Sequence, residues 1–300
     1  MPYNCVVLVK QVPDTANITG QAMKEDGTVN RAALPAIFNP EDLNALEMAL
    51  QVKDRCGGRV TVVTMGPPRA TEVLREALYR GADDVILVTD RETAGSDTLA
   101  TSYVLKCAVE RLAQDGQEIS LIFCGRQAID GDTAQVGPQT AEKLGVPQIT
   151  YAESIESLVG NEIVVQRALP LGAETVQCEL PCLLTVVTSA NHPRPPSARR
   201  MMAFKLAATS HEHRALLEKW PEFESVESLD RYLKDRGLDI TVWSAADIGA
   251  DYERVGLSGS PTKVLKVDYV VLEAAGSQEY HANQAGMAAL VEDLVRDYVL

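Results

Sequence analysis

No stretch of this 300-residue chain approaches the roughly 18 consecutive apolar residues that a bilayer span needs, so direct membrane insertion is not expected. The opening Met1-Pro2-Tyr3-Asn4 shows no basic region followed by an apolar one, and no secretory signal is read there. Positive charge is scarce: 28 Lys and Arg stand against 42 Asp and Glu, a formal charge of −14. A field of that sign repels phosphate backbones and argues against a nucleic-acid partner. The expected setting is cytoplasmic. G-x-S-x-G is missing, and His281 is the one histidine after His213, so a hydrolase triad has little to work with and no catalytic side chain is assigned. The phosphate loops G-x-G-x-x-G and G-x-x-x-x-G-K-[ST] are missing too; Lys10-Gln11-Val12-Pro13-Asp14 follows the first apolar run instead. The six cysteines (Cys5, Cys56, Cys107, Cys124, Cys178, Cys182) include no C-x-x-C pair and read as reduced structural thiols. Cys178 and Cys182 fall on one face of one predicted strand. His211 and His213 lie in a charged stretch without further ligand candidates nearby in sequence; they read as surface histidines, and no metal centre is expected.

The chain is 46% hydrophobic, enough for a sizeable core. Val6 to Val9, Val60 to Thr64, Val85 to Val88 and Ile119 to Phe123 are short apolar runs suited to strands buried on both faces. Helical patterns separate them. Over 70–80, Val73, Leu74, Ala77 and Leu78 share a face, Glu72, Arg75, Glu76 and Arg80 point outward, and Gly81 closes the segment. Segments 41–54, 98–114 and 134–144 read alike. This alternation predicts an α/β fold, a doubly wound parallel sheet. From Gly145 to Val187 extended segments predict an antiparallel addition. The Pro/Arg stretch 191–200 is not expected to be a regular helix, because proline lacks a donor. Beyond it lie a helix-like piece (225–236), an extended loop (247–266) and an amphipathic helix (282–299). The expected division is a nucleotide-binding domain, 1–204, and an insertion with a C-terminal arm, 205–300, that packs on a partner.

The most informative stretch is Gly125-Arg126-Gln127-Ala128-Ile129-Asp130-Gly131-Asp132-Thr133-Ala134-Gln135-Val136-Gly137-Pro138. It follows a buried strand and opens a helix, where ligands gather in doubly wound sheets. Asp132 or Thr133 can cap that helix, with Gln135 placed as in a capping box. The first-turn amides are natural ligands for a pyrophosphate. One aspartate is expected to cap and another to meet a ribose hydroxyl. From spacing alone the stretch reads somewhat more readily as an ordinary capped turn. Met65-Gly66-Pro67-Pro68 and Asn39-Pro40-Glu41-Asp42 fall on the same sheet edge, and three such turns converging favour a nucleotide cleft.

Together these residues resemble the beta subunit of electron-transfer flavoprotein. The matching blocks are Val9 to Asp14, Asn39-Pro40 with its acidic helix, Gly81-Ala82-Asp83, Gly125 to Asp130, Glu174-Thr175-Val176 and Leu180 to Thr185, covering about 3–204 and resuming at 241–266. After Arg167 the family pattern of an acidic residue and glycines is reduced to Gly172 and Glu174. The small residues at Gly131, Ala134 and Gly137 resemble the electron-bifurcating and Fix-type group, which carries FAD where housekeeping members carry AMP. Gly95-Ser96-Asp97-Thr98-Leu99-Ala100-Thr101-Ser102, Val242 to Asp247 and Gly256 to Lys263 agree with that group. The resemblance implies a Rossmann-like sheet of the adenine-nucleotide alpha-hydrolase kind. It places Leu8, Asn39, Asp42, Met65, Gly66 and the run Gly125 to Val136 around the adenine nucleotide. Asp97, Thr98 and Thr101 fall toward the flavin or the nicotinamide nucleotide. Arg194, Pro195, Ser197, Ala198, Arg199 and Arg200 stand where the family has its dehydrogenase-recognition loop; read alone, the arginines are solvated cations. Implied further are a heterodimer with an alpha subunit and NADH (NAD) as hydride donor. Onward electrons would go to a second FAD and an acyl-CoA or other dehydrogenase or quinone reductase, and to ferredoxin or flavodoxin. Other readings are an ATP-using ligase or stress-type protein, or a scaffold without nucleotide.

Overall fold

The structure, a computed structural model, describes residues 2–14, 34–262 and 277–296. In chain order its strands are Cys5–Val9 (β1), Gln11–Pro13 (β2), Ala36–Phe38 (β3), Val60–Met65 (β4), Asp84–Val88 (β5), Leu121–Gly125 (β6), Gln148–Val159 (β7), Glu162–Leu169 (β8), Gly172–Glu179 (β9), Cys182–Val186 (β10) and Thr241–Trp243 (β11). The helices are Pro40–Cys56 (α1), Thr71–Arg80 (α2), Thr98–Gln114 (α3), Val136–Leu144 (α4), Ala198–Phe204 (α5), His213–Lys219 (α6), Val226–Asp235 (α7) and Gln284–Arg296 (α8). β1, β6 and β10 are buried at every position, so only helices on both faces can cover them. They form the middle of a nine-stranded sheet ordered β11-β5-β4-β1-β6-β10-β7-β8-β9. Pairing is parallel from β11 to β7 and antiparallel through β8 and β9, as the apolar runs and the later extended segments predict.

Alternate residues of β1 sort the two cores. Cys5, Val7 and Val9 pack with Leu46 and Leu50 of α1, Leu74 of α2, and Leu229 and Leu233 of α7. Val6 and Leu8 pack with Val104 and Ala108 of α3 and Ala141 of α4. Pro40 starts α1 at a position where no amide is needed, and Gly81, at φ 138, ends α2 against the Leu50 side chain.

Several expectations change. Residues 205–262 are not an arm: the first compact unit includes them, and 277–296 belongs to a second. The physical reason is burial. Leu229, Leu233 and Ile240 are almost completely enclosed, and β11 adds to the sheet beside β5. Truncating Leu229 or Leu233 to alanine costs about 2–5 kcal/mol. The loop expected from 247 is not merely extended, since Ile248, Ala250 and Val255 pack into the α3 core. The prolines at 193, 195 and 196 do hold an extended stretch, but α5 begins immediately after Ser197, so Ala198, Arg199 and Arg200 are helical. Cys178 and Cys182 lie in two strands joined by a turn, β9 and β10, with all six thiols free. His213 is not at the surface but buried at 2% exposure. In the second unit, α8 carries Met287, Val291 and Val295 at four-residue spacing along one stripe; of the helix expected over 282–299, 297–299 lie outside the described residues, as does Lys263. No helix among the described residues is long and apolar enough to cross a membrane.

Candidate nucleotide site at the carboxyl edge

The sheet winds from β1 outward through β4 to β5, then resumes on the other side of β1 with β6. The carboxyl ends of β1 and β6 therefore flank the point where winding reverses, the place where doubly wound sheets hold ligands. Asp42 joins the two ends. Its Oδ2 accepts from the Lys10 amide and its Oδ1 from the Gly125 amide, both at 2.8 Å. Burial pushes this carboxyl up to about 7, against the pull of its two amide donors, Asn39 and the Lys10 charge.

Asn39 and Glu41 extend the grip. The Gln127 amide donates to Glu41 at 2.9 Å, the Ile129 amide donates to Asn39 Oδ1 at 3.1 Å, and Asn39 Nδ2 donates to the Gln127 carbonyl at 2.9 Å. Three side chains from one helix entry thus hold the alternate amides of Gly125, Gln127 and Ile129. Gly125 has no room for a Cβ, which would stand 2.5 Å from Asp42 Oδ1. The Arg126 guanidinium pairs with Glu41 at 3.0 Å and lies over the Tyr151 ring. Lys10 Nζ pairs with Asp130 at 2.7 Å.

The second half of the loop is built differently. Gly131 and Asp132 amides both donate to the Ala128 carbonyl, and Gly131 faces open space. Asp132 and Ala134 adopt φ values of 49° and 52°, strained for side chains other than glycine. The expected capping box is not formed. α4 begins only at Val136, with Gln135 at the cap position and no side chain satisfying the first turn. Asp132 instead accepts from Gln127 Nε2, and Gln135 Oε1 accepts from Thr98 Oγ1, because the left-handed residues between turn both side chains away from the helix start. Asp130 does not cap either. Pro138 has no amide, so Val136 and Gly137 present the first-turn donors. A Cβ on Gly137 would stand 2.7 Å from Cys124 Sγ, so this glycine brings α4 down onto β6 and β10 rather than clearing space for a ligand.

A second rim follows from the Thr98 contact. Asp97 caps α3 through the Ala100 amide and accepts from the Thr262 amide at 3.0 Å, while its own amide donates to Ser260 Oγ at 2.8 Å. The Gly256 amide donates to Ser96 Oγ. These amide donors hold the Asp97 carboxyl below the usual range even against desolvation. The blocks 95–98 and 256–262 are thereby one structure, joined to the Gly125–Val136 loop through Thr98, Gln135 and Gln139. Leu8 gives the edge no side chain, because it is buried against α3; Met65 is half-buried on the same core. The Gly66 amide donates to the Val88 carbonyl, and Thr101 sits in the first turn of α3 with its amide on the Asp97 carbonyl. Sequence reading missed Glu41, Lys10 and Gln139 as organising residues. The acidic first turn of α1 was the available signal, and it reads equally as a helix-dipole preference.

At 193–204 two of the three arginines, Arg194 and Arg200, are engaged. Arg194 pairs with Glu47 at 2.7 Å and Asp54 at 2.8 Å on α1, which holds the Glu47 carboxyl below its usual range against desolvation. Arg200 donates to the Leu78 and Ala82 carbonyls at the end of α2. Neither is the solvated cation that isolated reading gives. The exposed surface here is Pro195, Ser197, Ala198, Arg199 and the side chains of Met201 and Met202.

The family model described as "Electron transfer flavoprotein domain" matches residues 26–211 of the chain. The chain belongs to the electron transfer flavoprotein family, among its beta subunits. It is 42% identical over 263 residues to "Electron transfer flavoprotein subunit beta" of Clostridium acetobutylicum, covering 88% of this chain and 86% of that one. It is 38% identical over 296 residues, 98% of both chains, to "Acryloyl-CoA reductase electron transfer subunit gamma" of Anaerotignum propionicum. "Protein FixA" of Bradyrhizobium diazoefficiens is 43% identical over 265 residues, 87% of this chain and 81% of its own. Electron transfer is thus the function class, and the Fix-type likeness read from the small-residue blocks agrees with these relatives.

Proposed function

We propose that this electron transfer flavoprotein beta subunit binds a whole FAD at the carboxyl edge and works in flavin-based electron bifurcation. The observation that carries the reading is the second rim: Ser96, Asp97, Gly256, Ser260 and Thr262 are tied together beside the Gly125–Val136 loop. An adenylate needs only the first rim, whereas a dinucleotide needs a second wall beyond it. Several features fit the group: open space at Gly131, a first helical turn without a side-chain cap, and left-handed backbone at Asp132 and Ala134. When bound, FAD supplies the hydride-accepting and electron-passing chemistry. This chain's part is positional. Asn39, Glu41 and Asp42 fix the loop, the Val136 and Gly137 amides meet phosphate oxygens, and Asp97 holds the far wall. No side chain at this edge is required to move a proton.

NADH is the proposed electron source. A dehydrogenase or quinone reductase and a low-potential carrier, ferredoxin or flavodoxin, are the proposed destinations. The exposed Pro195 to Met202 ridge is the proposed contact for the dehydrogenase, and the α8 stripe for the alpha subunit. One observation favours AMP instead: Arg126 on the loop and Lys10 facing it are already paired with Glu41 and Asp130, so neither stands ready for a second phosphate. Counting nucleotides in the purified heterodimer decides between them. Two FAD per heterodimer supports the proposal; one FAD with one AMP overturns it.

A further inference from the structure

The 205–240 segment holds a cluster that electron transfer does not use. His213 opens α6, Asp230 lies on α7, and Asp239 follows the turn at Gly237 that leads to β11. One ligand atom from each of the three lies within 4.8 Å of the other two. Among the described residues, His213 Nε2 is the buried side-chain atom without a hydrogen-bond partner, on a residue only 2% exposed. Buried polar atoms left in that state are rare in native proteins, so the polypeptide leaves a partner to be supplied. The position of Asp239 is fixed by backbone bonds on either side: the Ala208 amide donates to the Leu238 carbonyl and the Ile240 amide to the Ala208 carbonyl. Lys234 Nζ sits 2.8 Å from Asp230 on a side chain 58% exposed.

We propose that His213, Asp230 and Asp239 are the protein ligands of a zinc-class divalent cation that ties α6, α7 and the approach to β11 together. An imidazole with two carboxylates is a zinc donor set, whereas magnesium and calcium take oxygen ligands alone. Two carboxylates also neutralise a doubly charged ion. Ligand atoms about 2.1 Å from a tetrahedral ion stand roughly 3.4 Å apart, a modest contraction of this cluster. Water completes the shell from the side of Asp230, whose side chain is 33% exposed. Asp239 precedes β11, which runs parallel to β5, so the site lies at the amino end of the sheet, opposite the nucleotide edge. The ion is structural there, its binding free energy adding to folding.

The test uses the full chain in its heterodimer, stripped with a chelator and titrated with Zn²⁺, and separately with Co²⁺ as a visible-absorption probe. One Zn²⁺ per chain is expected, with Co²⁺ bands of a four-coordinate site. His213→Asn and Asp239→Asn should each weaken Zn²⁺ binding about 100-fold or more while nucleotide content stays unchanged. Should His213→Asn fail to fold, Asp230→Asn at the exposed side carries the same comparison. Zn²⁺ binding no stronger in the wild type than in the variants, or none at all, overturns the proposal.

Discussion

The two halves of the Gly125–Val136 loop are neighbours in sequence and opposites in construction. In the first half, alternate amides end on buried side chains of one helix entry, and a glycine is required because Asp42 occupies the space a Cβ would take. In the second half, Gly131 meets nothing, Asp132 and Ala134 hold positive φ, and α4 starts without a side-chain cap. The lesson is a division of labour. Buried polar ties set where the loop stands, and an under-satisfied, strained stretch is left to adjust to what it receives.

If that division holds, substitutions in the first half should act on stability and those in the second on ligand content. The largest effect is expected from Asp42→Ala, which strands the Lys10 and Gly125 amides in a buried place. A loss of about 3 kcal/mol or more in denaturant-derived stability, together with loss of nucleotide, is the expected result. Gly137→Ala comes next at about 1–3 kcal/mol, because its new methyl must displace Cys124 or Thr185; a neutral result in thermal unfolding would show that α4 can ride up from the sheet. Asp42→Asn tests the ionisation. The folded Asp42 carboxyl titrates near 7 and the unfolded one near 3.8, so the native state holds the extra proton between them. Its contribution to stability is therefore fully present below about 4 and declines as pH rises to 7, by at most about 1.4 kcal/mol per pH unit. Glu47, Asp97 and Glu212, whose carboxyls are held low, tilt the whole-protein profile the other way. The diagnostic is therefore the difference between wild type and Asp42→Asn, which should shrink across that interval. Ala134→Gly should stabilise by about 1 kcal/mol or less, relieving a left-handed residue. Gly131→Arg should change stability least, by about 0.5 kcal/mol at most, yet empty the site of its dinucleotide; unchanged flavin content in that variant would count against the cleft.

The strands and helices were legible because their burial has a period: four-residue apolar spacing over 70–80 and unbroken apolar runs at Val6 and Val60 leave few alternatives. The place of the site was legible for a related reason, since winding order fixes the edge on which loops collect. What remained hidden depends on contacts distant in sequence. Asp42 and Glu41 read as an acidic first turn, and only the approach of residue 125 turns them into amide acceptors. Arg194 and Arg200 read as solvated until α1 and the end of α2 are seen beneath them. The 205–236 segment read as a surface insertion because the family resemblance gave it no counterpart; Leu229 and Leu233 bury one face of a highly charged helix there.

The outermost position beside β5 is filled by a strand of three residues drawn from far along the chain, Thr241–Trp243. Until the ribosome has released that segment, one flank of the nascent protein presents bare amides and carbonyls able to zip onto a neighbouring copy. Shortened products ending ahead of it should therefore self-associate, even though they retain the Asn39, Glu41 and Asp42 ties that hold the first half of the loop.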